Sequence, residues 1–306
     1  MTLFVVQTLN GVQLGLLLFL IAAGLTLVFG VMDFINLAHG VQYMLGAYLA
    51  VTFTRLTDSF WVGVPCAVLA AGAVGLALEV AVFRHLYARD HLAQVLGTFG
   101  VILFLNEAVR TIWGTAPLAM AMPDLLAGSL PLMPGLRYPV YRIALIVVGL
   151  AVAGLLGLGV QRSRTGMLVR AGASNRVMVG ALGVDIGRLF MVVFGIGAML
   201  AGFAGALAAP LVSVEPGMGD NLLILAFVVI VIGGIGAIRG AFVAALIVGL
   251  VDTLGRSYAT EAVRLVLHPS AAARLGPALA SMMIYLVMAA VLAVRPGGLF
   301  PVAARS

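Results

Sequence analysis

Lysine is absent from the chain; all 17 cationic side chains are arginine. That removes the Gly-x-x-x-x-Gly-Lys phosphate loop, so the chain cannot drive itself with a nucleotide by that route. One cysteine, Cys66, excludes an internal disulfide and a multi-cysteine metal site. It sits in an apolar run and reads as packing. Charge of either sign is scarce, at 9% of 306 residues, where soluble proteins carry about 25%. No aspartates cluster to hold magnesium. No serine nucleophile has a convincing base and orienting acid. A second histidine is missing near His39, which argues against a metal ligand there. The expectation is therefore no catalytic residues, no metal and no cofactor. The first arginine is Arg55, so the N-terminus lacks the positive segment that opens a secretory signal.

What is present is apolar. Hydrophobic residues make up 63% of the sequence, more than a water-soluble fold can keep from its wetted exterior. Lipid accepts such a composition, provided every backbone polar group is satisfied internally. About 20 apolar residues span a bilayer, and such runs recur along this chain. They fall at about 9–31, 35–54, 61–83, 92–113, 140–160, 189–209 and 277–294. A longer run at about 222–254 is interrupted by Gly233, Gly234, Gly236, Arg239 and Gly240. As one helix it reaches roughly 50 Å, against a hydrocarbon core of about 30 Å. Two helices with a tight turn at Arg239 fit better; a re-entrant pair stays open. The expected fold is all-α: a polytopic integral membrane helical bundle of about eight to nine spans with broken helices.

The net charge of +6 is explained by topology rather than by nucleic acid, since arginines collect in cytoplasmic loops. Arg84 and Arg89 form one group. Arg162, Arg164, Arg170, Arg176 and Arg188 form a second, and Arg295 and Arg305 a third. Placing all three in the cytoplasm requires two crossings in the glycine-rich run. That parity gives nine crossings, with the N-terminus outside. Four prolines within residues 114–137 predict an irregular outer loop. Residues 161–188 are the largest cytoplasmic segment within one transmembrane domain covering 1–306.

Three segments can carry chemistry. The first places Asp33, Asn36, His39 and Gln42 between two spans and into the second. Helical spacing puts Asn36, His39, Gly40 and Tyr43 on one face. Polar groups in lipid need partners, so that face looks into the bundle or a wet cavity. Helix capping by Asp33 or Asn36 is the alternative. The second segment carries Thr98, Asn106, Glu107, Arg110 and Trp113. It lines a pathway or anchors the helix end, with Glu107 and Arg110 paired. The third, residues 163–188, is amphipathic and too polar to cross. Val169, Ala173, Val177 and Ala181 share a helical face, Gly183 stops the helix, and Asp185 caps the next one. It is a rigid knob for a cytoplasmic partner, or a helix lying on anionic lipid.

At these segments the chain resembles the permeases of Liv-type ATP-binding-cassette importers for branched-chain amino acids. The matching residues are 24–30 leading into Asn36, Leu37, Ala38, His39 and Gly40, then Thr98-Phe99-Gly100 to Trp113-Gly114. Thr165, Gly166, Arg170, Ala171, Asn175, Gly183, Val184 and Asp185 resemble the family's coupling loop. Ala201 to Leu207 and Gly233-Gly234-Ile235-Gly236 also match. Gly172 and Met178-Val179-Gly180 depart from the usual loop and bear on which ATPase it accepts.

The resemblance implies partners: cytoplasmic ATPase subunits, a paralogous permease, and a periplasmic or lipid-tethered substrate-binding protein. It implies a multi-pass place in a bacterial or archaeal cytoplasmic membrane, in contact with lipid and not with nucleic acid. Asn36, His39, Gln42, Thr98 and Asn106 are the expected substrate-pathway residues. Permeases for urea and short amides look similar in the same motifs. A stand-alone proton-coupled transporter using Glu79, Glu107 or Asp252 is a second class. A lipid-modifying membrane enzyme with His39 as base is a third.

Overall fold

A computed structural model describes residues 2–265 and 268–300. Arg305 lies outside these residues, and so does the side chain of Arg176. Among the described residues ten α-helices follow one another: α1 (Thr2–Met32), α2 (His39–Thr57), α3 (Phe60–Ala81), α4 (His91–Trp113), α5 (Val140–Arg162), α6 (Arg164–Ala181), α7 (Ile186–Ala208), α8 (Met218–Gly233), α9 (Ile238–Arg264) and α10 (Pro269–Val294). Among the described residues, α1, α3, α4, α5, α7, α9 and α10 are long and apolar enough to cross a membrane. The helix α8 is a shorter apolar one. The 19-residue α2 opens on the polar residues His39 and Gln42. The fold is a polytopic helical membrane bundle, as the composition requires.

Helix α1 has no polar face, and a helix apolar all round belongs in the interior. It is surrounded by α5, α7, α8 and α9. In contrast α4, α5 and α10 leave long apolar rows exposed, including Phe104, Leu155 and Leu286. Those rows suit lipid, where exposed leucine costs nothing.

Two positions explain how the interior helices come so close. Gly46 of α2 lies on the backbone of Gly202 in α7, with no room for a Cβ between them. A Cβ on Gly40 of α2 would stand 2.6 Å from the Gly219 carbonyl of α8. Small residues at such crossings replace the hydrophobic drive that lipid does not supply.

The long glycine-rich run is divided as expected. Helix α8 ends at Gly233, Gly234 takes a φ of 100° and Gly236 a φ of 81°, and α9 starts at Ile238. Gly30 of α1 packs on Gly236, Gly172 of α6 on Val31 and Leu189, and Gly234 on the backbone of Phe300. These contacts gather the α1 end, α6, the α7 start, the α8–α9 turn and the segment after α10 at one end of the bundle. Arg162, Arg164, Arg170, Arg188, Arg239 and Arg295 belong to that end, the one the positive-inside rule expects in the cytoplasm. At the opposite end Trp113 Nε1 donates to Thr52 at 2.8 Å, and Leu118 bridges to Val214.

Two expectations are corrected. The segment after α4 is not wholly irregular: β1 (Ser129–Met133) and β2 (Leu136–Pro139) form an antiparallel hairpin. Gly135, at φ 80°, makes its turn. Asn36 does not share a helical face with His39, because α2 begins only at His39. Asp33, at φ 55°, turns the chain out of α1, and residues 33–38 run non-helically to the start of α2.

Candidate functional site

Helix α2 starts inside the bundle, not at its surface. The His39 ring lies against Gly24, eight residues before the end of α1 at Met32, so the ring sits roughly 12 Å along α1 from its end. The chain thus re-enters the bundle from the cytoplasmic end as non-helical backbone. Such backbone is tolerated at membrane depth only where protein buries it or a cavity receives it. From the other end, residues 210–217 lead to the start of α8, where Gly217 has a φ of 85°. The two helix starts meet at Gly40 and Gly219.

A cluster of polar side chains occupies this junction. Asn36 and His39 are 0% exposed and Gln42 is 1% exposed. His39 Nε2 lies 3.0 Å from the Ile21 carbonyl. A carbonyl only accepts, so that contact puts the ring proton on Nε2 and leaves Nδ1 as an acceptor. Nδ1 has no hydrogen-bond partner among the described residues, nor have both amide atoms of Asn36 and of Gln42. Gln42 lies beside His39 without reaching hydrogen-bond geometry. Its Nε2 faces α3, 3.7 Å from where a Cβ on Gly75 would be. Helix α2 takes no side-chain cap, so Asn36 is not a capping residue here. An unsatisfied buried polar group costs about 1–3 kcal/mol. Five such atoms in one cluster demand a reason beyond folding.

The other two expected pathway residues are placed differently. Thr98 is fully buried, and its hydroxyl donates to Gln94 O on its own helix at 2.8 Å. Gln94 Oε1 in turn accepts from Ile35 N at 3.2 Å, tying α4 to the re-entrant segment. Asn106 is half-buried, and its Oδ1 accepts from Gly217 N at 3.1 Å. It holds the entry to α8. Asn36, His39 and Gln42 are therefore all buried around the start of α2, with Gln42 beside His39, while Thr98 and Asn106 sit on α4 and brace the backbone around that start.

An aromatic group that the sequence reading did not single out lies next to the cluster. Phe34, two residues before Asn36, meets Phe83 at 5.6 Å and Tyr87 at 5.2 Å between ring centroids. Phe83 meets Phe194 at 5.1 Å, and Tyr87 meets Phe190 at 5.4 Å. Rings from the re-entrant segment, the α3–α4 connection and α7 thus pack together beside the start of α2. Their spacing in sequence carried no signal, because the contacts cross three separate elements.

Glu79, Glu107 and Asp252, the carboxylates singled out for a proton-coupled transporter, are each ion-paired. Glu79 pairs with Arg84 at 3.0 Å, Asp252 with Arg256 at 2.8 Å, and Glu107 with Arg110 at 3.4 Å. The last pair is exposed at the end of α4, as the spacing predicts.

Helix α6 covers the segment expected to form a cytoplasmic knob. The Ser163 hydroxyl caps it by accepting from Gly166 N at 2.9 Å. Gly166 is buried against the end of α5, and Gly172 lets α6 rest on Val31 and Leu189. Thr165, Arg170, Asn175, Gly183 and Asp185 are exposed, and Ala171 is half-buried. The expected single apolar face is not formed. At Asn175 the backbone leaves helical values, at φ −152° and ψ 95°, and the Asn175 side chain caps the second half through Met178 N at 3.0 Å. Val169 before the kink is buried, while Val177 beyond it is 78% exposed. Gly183, at φ 85°, does end the segment, and Asp185 Oδ1 does cap α7 by accepting from Arg188 N at 3.0 Å.

Comparison with known proteins agrees with this architecture. A family model described as the branched-chain amino acid transport system / permease component matches residues 7–292. The permease protein BraD of the high-affinity branched-chain amino acid transport system of Pseudomonas aeruginosa is 34% identical over 263 residues, covering 81% of this chain and 85% of BraD. LivH of Escherichia coli, named as a permease protein of the same kind of system, is 31% identical over 270 residues, covering 83% of this chain and 87% of LivH. LivM of Escherichia coli, a further permease protein, is 27% identical over 281 residues, 82% of this chain and 64% of LivM. No solved structure matches. A match over nearly the whole chain, on a bundle whose helices break around a buried polar cluster, makes this a transport permease, not an enzyme, and the chain belongs to the branched-chain amino acid transport system permease family.

Proposed function

We infer that this chain is the membrane-spanning subunit of an ATP-binding-cassette importer, carrying branched-chain or related amino acids inward by alternating access. The family match and the roles named for BraD and LivH support the substrate class. The observation that carries the reading furthest is the α2 start. Asn36, His39 and Gln42 supply neutral donors and acceptors to the two polar ends of an amino acid, and the apolar helices around them suit an aliphatic side chain. Thr98 and Asn106 set the walls of that pathway. The aromatic group of Phe34, Phe83, Tyr87, Phe190 and Phe194 is its cytoplasmic seal.

Energy comes from separate ATPase subunits docking on α6, a paralogous permease completes the pathway, and a binding protein outside delivers the substrate. The membrane is the cytoplasmic one of a bacterium or archaeon. Thr165, Gly166, Arg170, Ala171, Asn175, Gly183 and Asp185 form the docking knob. Arg170 is exposed and has no ion-pair partner among the described residues, so its charge is free for an acidic partner surface. Pushing on α6 reaches the α1 end through Gly172 and the re-entrant segment beyond it.

Arg170→Glu is expected to lower co-purification of the ATPase at least about tenfold, since reversing a contact charge costs about 1.4 kcal/mol or more. Insertion and thermal stability should not change, because the side chain is exposed. Asp185→Asn retains the α7 cap and isolates the charge, whereas Asp185→Ala also loses about 1 kcal/mol of helix capping. Undiminished ATPase capture by Arg170→Glu and Asp185→Asn together would remove α6 as the docking site. Urea or a short amide remains the second substrate class, because the pathway groups are neutral amides and an imidazole.

A further inference from the structure

A groove of about 470 Å³ opens on the outside of the bundle between α1, α5 and α9. It lies away from the polar cluster, on the opposite face of α1. Phe19 and Phe242, edge to face at 5.3 Å, form its floor. Gly154 and Gly157 of α5 form one wall, and a Cβ at either would meet no atom within 4 Å. The lining is apolar except at one end, where Gln161 and Arg239 stand. Arg239, in the first turn of α9, is exposed and makes no hydrogen bond or ion pair with any described residue.

The length of the groove fits one leaflet. From Leu150 to Gln161 along α5 the rise is roughly 16 Å, about half of a hydrocarbon core of about 30 Å. Its polar end is the cytoplasmic end of the bundle, at the α8–α9 turn. A cation there meets the headgroup level of the inner leaflet, and basic pockets between helices at that level take anionic headgroups. A protein helix filling the groove would leave Arg239 needing an acid at one depth only. A phosphodiester on an acyl chain supplies the apolar body and the negative charge together.

We propose that the groove between α1, α5 and α9 is a binding site for one anionic phospholipid of the inner leaflet, with Arg239 on its phosphate and an acyl chain along Gly154 and Gly157. The lipid sits on the α8–α9 turn and on α1, the two elements that back the re-entrant segment. Occupancy therefore bears on the stability of that turn.

The test uses the assembled transporter in nanodiscs of phosphatidylcholine doped with acyl-chain spin-labelled phosphatidylglycerol or spin-labelled phosphatidylcholine. The immobilised label is read by electron paramagnetic resonance. The expected result is about fivefold preference for phosphatidylglycerol, the ratio that one arginine near an anionic surface supports. Arg239→Gln should abolish the preference while retaining immobilised label of both kinds. Gly157→Leu, and independently Gly154→Leu, should remove immobilised label of both kinds by filling the groove from its open side. Inorganic phosphate should not displace the label. Equal retention of the two lipids by the unmutated chain, an unchanged preference in Arg239→Gln, or displacement by phosphate would each overturn the proposal. So would cross-linking of Gly157→Cys to a companion subunit, which would make the groove a protein interface.

Discussion

Replacing Asn36 by leucine is expected to abolish amino acid uptake, by about 100-fold or more, and to leave the folded chain as stable as before or more so. The sign of the second effect separates the two roles a buried asparagine can have. A structural asparagine is hydrogen-bonded, and its removal strands its partners at about 1–3 kcal/mol each. Here both amide atoms lack partners among the described residues, in a side chain that is 0% exposed. Leucine of similar size removes two unsatisfied groups and strands nothing. Gln42→Leu has the same logic and the same expected signs, because both of its amide atoms are also unpaired. His39→Leu differs, since it also gives up the contact from Nε2 to Ile21 O. Loss of function with a gain in stability is the usual mark of a site held ready for a ligand. Thermal unfolding in detergent checks the stability, and vesicle uptake checks the function. A large fall in unfolding temperature in Asn36→Leu and Gln42→Leu would make these residues structural.

The second large effect is at a helix crossing. Gly46→Leu should cost about 3 kcal/mol or more and deplete the inserted protein, because the new side chain meets the Gly202 backbone rather than a movable side chain. Helices α2 and α7 would have to part, and α2 carries the polar cluster. Gly100→Ala is the matching control. No atom lies within 4 Å of a Cβ at Gly100, so alanine there should gain up to about 1 kcal/mol from helix propensity. Membrane-fraction yield and detergent melting distinguish them; equal melting of the two variants would mean that α2 and α7 are not in contact.

Much of this was legible in the residues. Composition alone demands lipid, and the break at Gly233 to Gly240 was set by length and by Arg239. Gly183 and Asp185 signalled the end of α6 and the start of α7 through local rules that do not depend on packing. The polar residues Asn36, His39 and Gln42 stood out because polar side chains in lipid need a reason. What escaped the sequence was long-range. The break after α1 was expected, but nothing local says that residues 35–38 stay non-helical and re-enter the bundle, since the apolar pattern resumes at Phe34, Ile35 and Leu37. The kink at Asn175 divides a face that simple spacing keeps whole. The seal of Phe34, Phe83 and Phe194 joins rings more than 100 residues apart in roughly the way any non-local contact hides from periodicity.

The most direct measurement is leucine uptake by vesicles containing this chain with its ATPase, paralogous permease and binding protein. Uptake that requires both ATP and the binding protein, and that fails in Asn36→Leu, is the predicted result. Uptake driven by a proton gradient without ATP, or no capture of any ATPase by this chain, would contradict it.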